Sequence, residues 1–335
     1  MKRPTAGGLV RLVVAGGLLG YTLWRSDPSE VWRVSAGATM TPLLAAIGLV
    51  LLDRALMAWR WFVLLRPLGV PRAAATLDAP LERQTLPPFG TILRIFFVST
   101  FVGTFLPASI GGDAVRAYSL SRHGVSAGDA VASVFLDRML GVLSLLLMAV
   151  QALVFARTLA ADVGVVLALM VTTGACVVTT VLVFSDRAEI LAARVLEALP
   201  WQRARRLAEG IVGAMRRYSA YHGDLAVVLV ASIGVQVLRV VQAHYLGVAL
   251  GINQPMSVYF TFVPLILLVM LLPVTVNGIG TSQAAFVWLF GRAGTPGAEA
   301  FALSVLFVAL GIIGNLPGAF LYVVEPRKAQ QGIVS

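Results

Sequence analysis

Charge is scarce in this chain. Only 13% of its 335 residues are charged, against roughly 25% in a soluble domain, and 58% are hydrophobic. Several apolar runs reach the roughly 20 residues that a helix needs to cross a bilayer, which excludes an ordinary soluble protein. Cysteine is nearly absent: Cys176 stands alone in an apolar run, so no intrachain disulfide and no cysteine-based metal site can form. The three histidines, His123, His222 and His244, are scattered and make no HExxH-like pair. No nucleophile–base pair, acidic dyad or nucleotide loop is present, and Gly278-x-Gly280 is too short for a dinucleotide fingerprint. Neither a cofactor nor a metal is expected, and the chain does not read as an enzyme.

Lysine is rare too. Lys2 and Lys328 are the only two, so arginine supplies almost all of the net charge of +10. The basic residues gather at the ends of apolar segments, where they set orientation and favour anionic headgroups; nucleic acid is not an expected partner.

What the chain does contain is a succession of apolar segments. The first, about 8–24, follows Met1-Lys-Arg like a signal peptide, but no small-x-small cleavage site stands near 25–38, and a retained helix is expected. Residues 25–40 are polar and charge-balanced, as in an external loop. The second segment, 41–65, ends with Trp59, Arg60 and Trp61, then Arg66, which read as an interface anchor. A Pro-rich stretch with Arg72 and Arg83 reads as a cytoplasmic loop. Spans at 129–155 and 163–184 precede a basic segment, 185–223, read as cytoplasmic and amphipathic. Spans at 225–250 and 299–324 follow, the last ending at Arg327 and Lys328.

Two apolar runs break in the same way. Leu106-Pro-Ala-Ser-Ile-Gly-Gly112 aligns with Leu272-Pro-Val-Thr-Val-Asn-Gly278, sharing Leu-Pro-x-Ser/Thr-x-Gly/Asn-Gly. With Arg66–Arg83 and Arg187–Arg217 placed inside, residues 92–123 leave from and return to the inside, and 258–292 do so on the outside. The expected fold is an all-α polytopic membrane protein with eight apolar segments: six full spans and two re-entrant hairpins. It forms one transmembrane domain over 1–335, with inverted halves at about 41–156 and 224–324. They are joined by the 163–184 helix and the basic segment, and both termini are cytoplasmic at the cell membrane. The rival reading makes each arm a full helix and the Pro-Gly stretches plain interfacial loops. Paired interruptions of this kind point to a transporter's binding site.

Candidate site residues lie at or near these breaks. Asp113 and Arg116, three apart after Gly111-Gly112, fit either an anion site or an N-cap with an interface anchor. Asp137-Arg138 falls inside a span, where ionisable groups are rare and default to function; the alternative is a pair near the interface. Gln236, Arg239, Gln242 and His244 give one span a polar stripe that faces inward or lines a cavity. Asn277, Ser282 and Gln283 add neutral hydrogen-bonding groups at the second break. Asn315 and Pro317 read as a packing contact or kink.

Gly111-Gly112-Asp113-Ala-Val-Arg116-Ala-Tyr118, Leu136-Asp137-Arg138-Met-Leu-Gly141 and Pro273 to Asn277-Gly-Ile-Gly280 resemble the lysylphosphatidylglycerol synthase transmembrane (flippase-like) family. The resemblance runs from the second span to the last. It implies a lipid-flipping module; the aminoacyltransferase domain of two-domain members has no counterpart here. Together with the breaks and the polar stripe that holds Arg239, it points to a substrate site at Gly111, Gly112, Asp113, Arg116, Asp137, Arg138, Arg239, Asn277, Gly278, Gly280 and Gln283, with Arg116 on headgroup phosphate. Gln283 stands where the family often carries Glu, which points to a different lipid. The expected function is movement of a phospholipid or lipid-linked substrate between leaflets, with a separate synthase or glycosyltransferase as a possible partner. A non-transporting partner or a membrane-embedded transferase is the alternative.

Overall fold

The computed structural model describes residues 6–69, 86–105, 111–155, 221–271 and 278–324, with a few positions between 170 and 218. The expected 163–184 span, most of the basic segment 185–223, Arg72, Arg83, Arg327, Lys328 and Asn277 lie outside the described residues. Among the described residues ten α-helices are formed: α1 (Ala6–Arg25), α2 (Pro28–Ala36), α3 (Met40–Leu65), α4 (Phe89–Phe105), α5 (Gly111–Ser121), α6 (Ala127–Phe155), α7 (His222–Ala249), α8 (Met256–Leu271), α9 (Thr281–Arg292) and α10 (Gly297–Val323). Among the described residues there is no strand.

The helices α3, α6, α7 and α10 have the length and hydropathy of membrane spans, and α1 contributes 20 residues. The polar stretch after α1 is more ordered than a loop. Asp27 accepts a hydrogen bond from the Ser29 N–H (3.1 Å), Pro28 occupies the first helical position and Gly37 ends the helix. These are three start and stop signals in eleven residues, enough to fold α2. Bonds from the Ser29 hydroxyl and N–H also hold the Asp27 carboxyl below its ordinary range.

Helix lengths repeat along the chain. The series α3, α4, α5, α6 has 26, 17, 11 and 29 residues; α7, α8, α9, α10 has 28, 16, 12 and 27. At 1.5 Å per residue the short arms α5 and α9 extend about 16–18 Å, far below the ~30 Å hydrocarbon core. Each folds back on its predecessor. Gly103 of α4 meets Gly112 of α5 so closely that a Cβ on Gly103 would lie 2.8 Å from the Gly112 Cα. In the second hairpin Phe262 of α8 packs on Phe290 of α9 (centroids 5.5 Å). The arms are therefore hairpins rather than full spans.

The halves are inverted. Along α3 and α7 the contacts run in opposite senses: the Thr39 N–H donates to the Ala249 carbonyl (2.8 Å), Gln242 Nε2 to the Leu49 carbonyl (3.2 Å), and Arg60 Nη1 to Ser232 Oγ (2.8 Å). Partner numbers fall as α3 advances, so the equivalent helices are antiparallel. Hairpin α4–α5 packs through α4 on α10, and hairpin α8–α9 through α8 on α6. Each hairpin thus leans on the final helix of the other half, as a two-fold exchange requires. Two apolar cores result: one around Trp61, Phe96 and Leu136, the other around Tyr259, Phe286 and Phe290.

Candidate functional site

A cavity of about 460 Å³ lies where the two halves meet. Asp53, one of its lining residues, stands at the middle of the 26-residue α3. That is about 20 Å along the helix axis from either end, so the cavity is at mid-depth of this span.

Its charged residues form a ladder of ion pairs. Asp137 of α6 binds two arginines, Arg60 of α3 (2.7 Å) and Arg116 of α5 (3.0 Å). Asp113, in the first turn of α5, binds Arg138 of α6 and, more loosely, Arg116 (3.5 Å). Asp53 binds its neighbour Arg54 (2.8 Å) and approaches Arg239 of α7 at 3.6 Å. Four helices, α3, α5, α6 and α7, are tied together by these pairs. Such burial is stable only because each charge has an opposite neighbour; a bare ion at this depth costs several kcal/mol.

The arginines are held to different degrees. Arg116 is buried between the Trp61 ring (5.1 Å to centroid) and the Phe96 ring (4.9 Å), besides its two carboxylates. Its guanidinium is locked on both faces. Arg60 is 3% exposed, which overturns its reading as an interface anchor: with Trp61 it packs inward while Trp59 stays exposed, and Asp137 and Ser232 supply the partners an interface would have supplied as water. Arg239 has the longest carboxylate contact of the five, 3.6 Å against 2.5–3.0 Å. Its side chain is 24% exposed, less than the 42% of Arg138, and its other contacts are the Gln236 carbonyl oxygen and the Met57 sulfur, each at 3.5 Å.

Neutral groups finish the polar wall. Arg54 donates to Asn315 Oδ1 (3.0 Å), and Asn315 Nδ2 donates to Thr104 Oγ1 (3.0 Å), linking α3, α10 and the end of α4. Gln236 Nε2 donates to the Gly141 carbonyl and to Ser144 Oγ, each at 3.3 Å. Leu267, Met270 and Leu271 of α8 and Phe307, Val308 and Ile312 of α10 make an apolar wall beside it. The cavity is amphipathic: guanidinium groups and carboxylates come mostly from the first half, hydrocarbon from the second. Among the described residues no group of three His, Cys, Asp or Glu side chains could hold a metal ion.

Of the candidate residues, Gly112, Asp113, Arg116, Asp137, Arg138 and Arg239 line this cavity, and Gly111 begins the helix that carries three of them. Gly278, Gly280 and Gln283, which follow the second break, go elsewhere. Gly278 and Gly280 have φ of 74° and 90°, the left-handed turn that starts α9. Gln283 is turned back to accept the Gly280 N–H (2.6 Å) and the Ser282 hydroxyl (3.0 Å), capping that helix. These three are absent from the cavity wall. His244, in the stripe with Arg239, instead sets its ring edge-on to Tyr259 (5.0 Å). Sequence reasoning passed over Asp53-Arg54, although it is an Asp-Arg pair inside a span just as Asp137-Arg138 is.

An inverted pair of helix–hairpin–helix units around a charged mid-depth cavity defines a polytopic membrane protein. The chain belongs to the family described as the lysylphosphatidylglycerol synthase TM region, whose model matches residues 8–318. That membership ties it to lipid modification or transport at a membrane. No curated protein and no solved structure matches it.

Proposed function

We propose that the protein moves a lipid with an anionic headgroup between leaflets, the headgroup passing through the charged cavity while its chains follow the apolar wall. The observation that carries this reading is the amphipathic cavity at mid-depth: a cationic wall beside a hydrocarbon wall matches the two ends of a phospholipid. The α5 N-terminus, as the positive end of its dipole, adds to the attraction for phosphate. Inverted repeats with broken helices at the interface are the usual frame for alternating access, in which the hairpins rock about a fixed site.

Arg239 is the residue assigned to headgroup phosphate. It faces the cavity with the weakest internal pairing, so an incoming phosphate displaces little. Arg116, committed to two carboxylates and two rings, positions the wall instead. Exchange of labelled phospholipids in liposomes tests the reading. Wild-type protein should exceed empty liposomes, and Arg239→Gln should cut the rate at least about tenfold, the loss of one charge-assisted hydrogen-bond pair, without lowering thermal stability. Absence of exchange across anionic, zwitterionic and polyprenyl-linked lipids would reject translocation and favour a role as partner to a separate lipid-modifying enzyme.

A further inference from the structure

We propose that α2, with the adjoining ends of α1 and α9, forms a lipid-binding rim whose tryptophans lie in the headgroup–acyl boundary of one leaflet. None of its residues lines the cavity, and the inference does not depend on the translocation reading.

One end of the bundle is tied together by its loops. The Thr39 N–H, just before α3, donates to the carbonyl of Ala249 at the end of α7 (2.8 Å). Gln254 Nε2, between α7 and α8, donates to the Ala293 carbonyl (2.9 Å) and to Thr295 Oγ1 (3.2 Å), both between α9 and α10. Helix α1 packs on α9 and α2 on α10. The ends of α1, α7 and α9 and the starts of α3, α8 and α10 therefore share one level. It is the level of a membrane surface, because α3, α7 and α10 have the length and hydropathy of spans.

Helix α2 is held at this level. Two residues join it to α1 and three to α3, and three residues reach only about 10 Å when fully extended. Its inner face, Val31 and Val34, packs against the apolar core around Tyr259. Its outer face, Ser29, Trp32, Arg33 and Ala36, is exposed, the three- and four-residue spacing of one side of a helix. Trp32 is 76% exposed, as is Trp24 in the last turn of α1. Trp288, 45% exposed, stands one turn before the end of α9 and lies under the Arg292 guanidinium (4.3 Å to centroid).

An indole has a large apolar ring and one N–H donor. Water leaves the ring uncovered, and hydrocarbon leaves the N–H unpaired. The headgroup boundary satisfies both, with upper acyl chain against the ring and ester and phosphate oxygens for the N–H. A short helix with one apolar face, tethered between two apolar helices, belongs in the same layer. Arg33 is already answered by Glu30 (2.5 Å), so the outer face of α2 presents a ring rather than a bare charge, which suits a lipid boundary better than an acidic protein.

The test measures depth in full-length protein reconstituted into liposomes of phosphatidylcholine and phosphatidylglycerol. In a Cys176→Ser background, Trp24→Cys, Trp32→Cys and Trp288→Cys each receive one nitroxide. Ile313→Cys is the reference, because Ile313 is exposed near the middle of α10 and does not line the cavity. Depth is read from collisions with oxygen against collisions with a water-soluble nickel chelate. The three rim labels should lie within about 5–10 Å of the headgroup–acyl boundary. The label at 313 should lie near about 15 Å, half of the ~30 Å hydrocarbon core. A second measurement needs no cysteine. Phospholipids brominated near the carboxyl end of the acyl chain should quench wild-type tryptophan emission more than those brominated near the methyl end, and Trp24→Phe with Trp32→Phe should shrink that difference.

A label at 32 as open to the nickel chelate as a free nitroxide in buffer would place α2 in water and overturn the rim. A label at 32 as deep as the one at 313 would overturn the boundary assignment. Spin–spin broadening at 32 that vanishes on dilution with unlabelled protein would make this face a contact between two copies and remove lipid as its occupant. Equal quenching by the two brominated lipids would likewise count against the rim.

Discussion

Replacing Asp137 by Asn should be among the most damaging single changes to the stability of this protein. Asp137 is 2% exposed and answers Arg60 at 2.7 Å and Arg116 at 3.0 Å. After the change Arg116 keeps Asp113 at 3.5 Å, but Arg60 keeps only the Ser232 hydroxyl. Removing one partner from a buried pair and stranding the other costs about 3–5 kcal/mol. With an unfolding entropy of about 2.1 cal/mol/K per residue, that corresponds to a fall in Tm of about 4–7 °C for a chain of this length. The assay is thermal unfolding in one detergent, followed by the fluorescence of the tryptophans, of which Trp61 is fully buried beside this network. The double change Asp137→Asn with Arg60→Met should recover much of the loss, because the stranded cation is gone. A single variant within 1 °C of wild type, or a double variant no better than the single, would refute the assignment of Asp137 as counter-ion to Arg60; the 1 °C bound is about the effect of a surface change.

Three further outcomes follow from the geometry. A Cβ on Gly318 of α10 would overlap the Phe97 carbonyl of α4, whereas one on Gly311 of the same helix meets nothing within 4 Å. Gly318→Val should therefore lower Tm and yield while Gly311→Ala leaves both unchanged, since overpacking costs about 1–3 kcal/mol; equal behaviour of the two would dismiss the close α4–α10 crossing. Gln283→Ala should cost about 1 kcal/mol through loss of the α9 cap. Gln283→Glu, which still accepts the Gly280 N–H, should leave stability and headgroup preference alone; a switch of preference toward cationic lipids would return Gln283 to the substrate site. Finally, the arginine distribution predicts that both termini are cytoplasmic. A C-terminal green fluorescent protein fusion should fluoresce and a C-terminal alkaline phosphatase fusion should be inactive, and the opposite pair of results would invert the topology.

Much of the fold was legible because the bilayer leaves few options. Backbone groups in hydrocarbon must be paired within the segment, so apolar length translates directly into helices. The matched Leu-Pro breaks located both hairpins, and arginine parity gave the inversion that the antiparallel α3 and α7 display. The candidate site was legible in part. Asp113, Arg116, Asp137, Arg138 and Arg239 were identifiable as charges in or near spans, and they do line one cavity. Asp53-Arg54 was passed over because it lies within an unbroken helix, away from either motif. Arg60 was assigned to the interface because flanking tryptophans are the ordinary mark of one; here Trp61 is core and only Trp59 is partly exposed.

By itself, then, the sequence determined the membrane environment, the helix–hairpin–helix units, their inverted order and the presence of ionisable residues within the spans. Those properties are set by local composition and by the charge bias between loops. Only the tertiary structure decided which arginine is locked and which is available, that Gly278, Gly280 and Gln283 build the start of α9 rather than part of the cavity wall, and that the charged and apolar walls face each other. Ion-pair partners here are drawn from four helices up to 186 residues apart, and a side chain's share of a carboxylate is fixed by distance in space, which spacing along the chain does not encode.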